Sequence, residues 1–209
     1  MALKTLVKIS AINNLSDARY CAGMAVDLMG FDLNPTSGSY TNYQNFVELT
    51  GWLSGVEFVG EFMAENSREQ IAEAIKTYEL STIQVSDPSQ VEAFSGAEVN
   101  ILFKINIDQV DKSEEVSSLM HEIKDKVQYF LFESDQGIHY KAHIVNEVME
   151  LAQSYPIIMG FNVNVNTLDV LLDSSDVKGV ALKGGEEIRP GYKDFDELAD
   201  ILEALELED

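Results

Sequence analysis

The stretch Gly179-Val180-Ala181-Leu182-Lys183-Gly184-Gly185-Glu186-Glu187-Ile188-Arg189-Pro190-Gly191-Tyr192-Lys193-Asp194 decides how the rest of the chain reads. Val180 to Leu182 are apolar, as a strand buried on both faces requires. Gly184 and Gly185 follow at once, and glycine lets backbone N–H groups come close to a ligand. Asp194 can cap a final helix that starts at Phe195. The pattern is strand, glycine turn, helix.

The same alternation runs through the whole chain. Short runs rich in Val, Ile, Leu and Phe predict parallel strands at Thr5–Ile9, Val26–Phe31, Val56–Phe62, Thr82–Val85, Asn100–Ile105, Val127–Phe132, Pro156–Phe161 and Gly179–Leu182. Amphipathic segments lie between them. Asn14 or Ser16 can cap a helix reaching Gly23, and a second covers about Asn42–Leu53. Asn66 is expected to cap a third, with Ile71, Ala74, Ile75 and Tyr78 on its inner stripe. Short helices follow Asp87 and Lys112. Others fall at Tyr140–Ser154, Asn166–Leu172 and Phe195–Leu207. Eight strand–helix units without a linker fit one α/β domain over residues 1–209, a (β/α)8 TIM barrel. A doubly wound open sheet is the alternative, but Ile9-Ser10-Ala11-Ile12 is not the glycine-rich turn such folds often carry after their first strand.

Composition limits the function classes. The chain has 209 residues, with 14 basic and 36 acidic, for a net charge of −22. That surface repels nucleic acid and anionic membranes, so neither is expected as a partner. It also repels phosphorylated metabolites at long range, so a phosphate site must rely on local donors. Cys21 is the one cysteine and permits no internal disulfide, which suits a reducing compartment. Lys4 and Lys8 interrupt any signal-peptide pattern, and no apolar run is long enough to span a bilayer. A cytoplasmic location is expected. The oligomeric state is left open.

In a barrel, ligand chemistry sits at the carboxyl ends of the strands. The side chains there are Lys8 and Ser10, Asp32 and Asn34, Glu61, Gln84 and Ser86, Lys104 and Asn106, Glu133 and Asp135, Asn162 and Asn164, and Lys183. The plainer account is that strand ends in any barrel are polar. Alternation along the first strand points Lys8 and Ser10 to one side. His139 and His143 have helical i, i+4 spacing but no evident third metal ligand, so a solvated helix start is the expected reading. Cys21 is expected in the core.

Gly185-x-Glu187-x-x-Pro190-Gly191-x-Lys193-Asp194 resembles the last βα loop of phosphoribosylanthranilate isomerases. Leu6-Val7-Lys8-Ile9, Asp17-Ala18, Gly30-Phe31, Pro35-x-Ser37-x-x-Tyr40, Val59-Gly60-x-Phe62 and Ile83-Gln84-Val85 resemble earlier motifs of that family, in order. The resemblance implies an aldose–ketose isomerase of tryptophan biosynthesis that needs no cofactor. Its reaction is an Amadori rearrangement, with a general acid at the ring oxygen and a general base at C2.

Carried over, the base, which is a cysteine in the family, falls on Ser10, with Lys8 beside it. The acid falls on Glu133, with Asp135 as a second carboxylate. The arginine that holds the anthranilate carboxylate becomes Ser39, and the glycine pair after the seventh strand becomes Gly160 and Phe161. Phe161 is expected to obstruct an anion there. Lys183, Gly184 and Gly185 could still cradle a phosphate. Lys104 and Asn162 complete the expected ligand-binding set. Little or no turnover of the family substrate is expected. The alternatives are a related barrel enzyme on another small, phosphorylated substrate, working through Lys8, Lys104, Glu133 and Lys183, or a non-catalytic paralogue that binds a metabolite or a partner.

Overall fold

The computed structural model describes residues 2–110, 113–136, 142–183, 187–189, 192–193 and 196–207. Eight parallel strands pair in sequence order: β1 (Leu6–Ser10), β2 (Leu28–Asp32), β3 (Glu57–Glu61), β4 (Thr82–Val85), β5 (Asn100–Asn106), β6 (Tyr129–Glu133), β7 (Ile157–Gly160) and β8 (Gly179–Lys183). The ring closes where β1 runs beside β8, from Leu6 opposite Gly179 to Ser10 opposite Lys183. That pairing establishes the (β/α)8 barrel and rules out the open sheet.

Helices α1 (Leu15–Gly23), α2 (Tyr43–Thr50), α3 (Arg68–Thr77), α4 (Pro88–Phe94), α5 (Ser113–Ile123), α6 (Ala142–Ala152), α7 (Val165–Ser174) and α8 (Asp196–Ala204) each follow a strand. The expected cap of α1 is present, and Asn42, read as the first residue of the second helix, is its cap. Asn14 accepts from the Asp17 N–H, and Asn42 accepts from the Asn45 N–H. For α3 the cap is Ser67 and not Asn66, because Ser67 and Gln70 form a reciprocal capping box. Asn66 instead accepts from the Met63 N–H at 2.8 Å. The helix after Lys112 is longer than expected, at 11 residues. The segment after β8 does not run straight into a helix. It forms two short antiparallel strands, β9 (Glu187–Arg189) and β10 (Tyr192–Lys193). Gly137, His139, Gly184, Gly185, Pro190, Gly191 and Asp194 lie outside the described residues.

The strands sort their side chains by alternation. Val7, Ile9, Met29, Phe31, Ile83, Phe103, Phe130, Met159 and Val180 point outward into the core shared with the helices, which supply Ile71, Val91, Met120, Leu168 and Leu202. Cys21 is buried in this shell. Leu28, Val59, Leu102, Leu131, Ile158 and Ala181 form a separate cluster inside the barrel. Toward the carboxyl ends the inward positions turn polar, and there the pocket opens.

Candidate active site at the barrel mouth

Lys8 is the deepest polar residue of the site. It is 0 % exposed, and its ammonium donates to Glu61 Oε1 at 2.5 Å and to Ser10 Oγ at 2.6 Å. Room for this pair exists because residue 30 is glycine. A Cβ there would collide with the Glu61 carboxylate and lie 3.1 Å from Lys8 Nζ. The expectation that Lys8 and Ser10 share a face holds. Lys8 does not line the pocket, however, and reaches it only through Ser10 and Glu61.

Ser10 is also buried. It accepts from Lys8 and donates its own proton to Glu133 Oε1 at 2.7 Å. Its neighbour Ala11 has φ +55°, a left-handed conformation that costs an L-residue roughly 1–2 kcal/mol. That turn aims the Ala11 N–H at Glu61 Oε2, 3.1 Å away.

Glu133 is 2 % exposed and lies 3.5 Å from the Lys104 ammonium. Burial pushes its carboxyl up. The charges of Lys8, Lys104 and Lys183 and the Ser10 hydrogen bond outweigh burial and hold it below its ordinary value of 4.5. Lys104 shows the converse. Burial works against its charge, but Glu133, together with a 2.6 Å hydrogen bond to Asp135, raises it above 10.5. At neutral pH Glu133 is therefore an acceptor and Lys104 a donor.

Gly160 belongs to this arrangement. A Cβ there would meet Glu133 Cγ at 2.6 Å, the Phe132 carbonyl oxygen at 3.0 Å and Ala181 Cβ at 3.2 Å. Gly160→Ala is expected to lower stability by about 1–3 kcal/mol, the usual cost of overpacking. Denaturant titration at neutral pH would measure it, and an unchanged midpoint would show that the carboxylate can move aside.

The pocket holds about 350 Å³ and is lined by Ser10, Asp32, Glu61, Gln84, Lys104, Asn106, Glu133, Asp135 and Lys183 together with loop residues, among them Met63, Glu65 and Gln109. The structure thus gathers most of the expected ring into one cavity. Several expected residues lie elsewhere, Asn34 and Asn164 among them. Ser39 is exposed, bonded through its N–H to Ser37, and outside the lining. Asn162 is a left-handed turn residue with φ +54°, whose carbonyl accepts from Thr167 Oγ1. Phe161 packs into the helix-facing core, because Gly160 takes the inward position, and so it is not the obstruction expected of it.

Asp108 was not singled out by its sequence pattern. Its carboxylate accepts from Ser134 Oγ and from the N–H groups of Asp135 and Gln136, and so fixes the loop that carries Asp135. Among the described residues no group of three His, Cys, Asp or Glu is placed to hold a metal, and no helix is long and apolar enough to cross a membrane.

A closed eight-stranded barrel with a polar, lysine- and carboxylate-lined pocket at the carboxyl ends of its strands defines a TIM-barrel protein with its cavity where such barrels carry their sites. The family model for N-(5'-phosphoribosyl)anthranilate isomerase matches residues 7–204, and the chain belongs to that family. An N-(5'-phosphoribosyl)anthranilate isomerase of Maridesulfovibrio salexigens is 24 % identical over 97 % of this chain and 99 % of its own. The crystal structure of the Thermotoga maritima phosphoribosylanthranilate isomerase superposes with a TM-score of 0.79 at 18 % identity, covering 96 % of this chain and 98 % of the other. A phosphoribosylanthranilate isomerase solved with reduced 1-(o-carboxyphenylamino)-1-deoxyribulose 5-phosphate superposes with a TM-score of 0.75 at 18 % identity, with the same coverage of both chains.

Proposed function

We propose that this chain is a phosphoribosylanthranilate isomerase-like, cytoplasmic barrel protein that binds a small molecule at its mouth and has little or no activity on phosphoribosylated anthranilate. The observation that carries this is the state of Ser10, at the position where the family resemblance implies the base. Its proton is committed to Glu133 and its oxygen accepts from a buried lysine. A neutral hydroxyl whose oxygen already accepts from an ammonium lacks the thiolate-like basicity needed to take a proton from C2. Glu133, the implied acid, is held ionised and has no proton to give to a ring oxygen. Ser39, at the implied arginine position, brings no charge to the pocket. An open cavity of about 350 Å³ speaks for a ligand and against a filled, inert mouth.

The test is turnover of N-(5'-phosphoribosyl)anthranilate by purified protein. Activity within about tenfold of an ordinary family member, which is about 1.4 kcal/mol of barrier, would refute the reading. Replacing Ser10→Cys together with Ser39→Arg is expected to raise kcat/KM above the parent and still leave it more than about tenfold below an ordinary family member, since the acid remains unprotonated. Steady-state kinetics of the double variant decide this.

One observation favours a second reading. An ionised Glu133 beside a protonated Lys104 is a base next to a cation, and such a pair suits removal of a proton next to a carbonyl, with Lys104 stabilising the enolate. A related barrel enzyme acting on another small substrate would use it.

A further inference from the structure

Charges around the mouth are not evenly matched. Lys8, Lys104 and Lys183 face Glu61, Glu133 and Asp135, one carboxylate for each ammonium, at separations of 2.5–4.0 Å. Asp32 and Glu65 line the same pocket and stand outside this set. Asp32 accepts from the Asn34 N–H at 3.0 Å and from the Ser37 hydroxyl, and Glu65 accepts from the Asn34 amide at 3.1 Å. All three donors are neutral. No ion pair reaches either carboxylate among the described residues.

A second, independent observation marks the same wall. Gln84 is 5 % exposed, lines the pocket, and has a buried Oε1 without a hydrogen-bond partner among the described residues. Buried polar groups are nearly always satisfied, so such an acceptor marks a place where a donor belongs. The register puts it beside the acidic groups. Asp32 pairs with Glu61 across β2 and β3, and Glu61 pairs with Gln84 across β3 and β4. Three adjacent inward positions thus carry two carboxylates and an amide whose Oε1 is unanswered among the described residues. The described carboxylates are not arranged to ligate a metal. A neutral polyol could satisfy Gln84 but would leave the two charges unanswered. The net charge of −22 adds a long-range attraction for cations.

We propose that the β2–β4 side of the mouth is a subsite for a protonated amine, so that the ligand is a small amino compound. This deepens the small-molecule reading above and rests on it. The amine would sit against Asp32 and Glu65 and donate to the Gln84 carbonyl. An anionic group on the same ligand would be directed to the opposite wall, where Lys183 is half exposed.

The test uses the full chain and four matched probes: D-glucosamine, D-glucose and the 6-phosphate of each. Ethanolamine and ethylene glycol form a smaller matched pair. Binding is followed by amide chemical-shift titration, with the mouth residues as reporters. Within each pair the amine is expected to bind about tenfold more tightly, a difference of the size one well-placed charge supplies, and the preference should shrink as salt is added. Glu65→Gln, at an exposed position, should reduce the amine preference by roughly threefold, as for one exposed charge pair. Gln84→Leu should weaken the amines further than their hydroxyl partners. Phosphorylated probes that bind at the mouth with no advantage from the amine would overturn this inference and leave the small-molecule reading standing. No shift at the mouth with any probe would overturn both.

Discussion

Replacing Lys8 with Met is expected to destabilise the protein by about 3–5 kcal/mol, the cost of stripping one partner from a buried ion pair. Lys8 is wholly enclosed, and Glu61 and Glu133 both depend on its charge. Methionine matches much of the lysine volume, so the loss would come from charge and not from a cavity. Among the described residues Glu61 would then keep only the Ala11 N–H as a close donor. Removing the second charge should reverse most of the effect. Lys8→Met with Glu61→Met fills the hollow over Gly30 with apolar atoms, and well-packed apolar replacements of buried pairs are often neutral. A double-mutant cycle by urea denaturation measures the coupling, expected to be of order 1–3 kcal/mol. If the single variant lost less than about 1 kcal/mol, water would have to reach Glu61 freely, and the deep floor of the site would be wrongly described.

The barrel was legible in the sequence because each strand is buried on both faces and therefore reads as a short apolar run. Thr82–Val85 was read with its observed limits, and the other strands shift by a residue or two. At the carboxyl ends of β1, β2, β5, β6 and β8 the shift has one cause. Polar inward residues such as Ser10, Asp32, Glu133 and Lys183 continue the ladder beyond the apolar run, and hydrophobicity alone ends too soon. Much of the site was legible too, since alternation from a strand end selects the inward side chains. What sequence could not give was depth. Lys8 and Lys104 look alike in the sequence, yet one is sealed beneath the other's pocket. Gly30 read as part of a strand motif and Gly160 as an anion-site glycine, and the room they leave for Glu61 and Glu133 appears only in the structure. Asp108 acts across a loop on Ser134 and Asp135, a non-local pairing that no period encodes.

Glu133→Gln is expected to cost about 2–4 kcal/mol at neutral pH, and the cost should disappear in acid. Glutamine keeps the shape of the side chain and can still accept from Ser10. It removes one of the two charges that answer Lys104, leaving Asp135, and places an amide donor where the carboxylate met an ammonium 3.5 Å away, so the buried lysines lose a counter-charge. The direction of the pH effect follows from linkage. The folded carboxyl titrates below its ordinary value of 4.5. Its contribution is therefore complete above about pH 4.5 and is lost as pH falls through the folded value. Below that point wild-type Glu133 is neutral, as glutamine always is, and the two proteins should converge. The other carboxylates are common to both and largely cancel in the difference. Urea midpoints of the two proteins from pH 7 down to pH 3 give the test. A gap that stayed constant over this range would mean that Glu133 titrates alike in the folded and unfolded chain, and a gap that shrank as pH rose above about 4.5 would mean that it is held protonated in the fold, with the proton that the isomerase reaction requires of its acid.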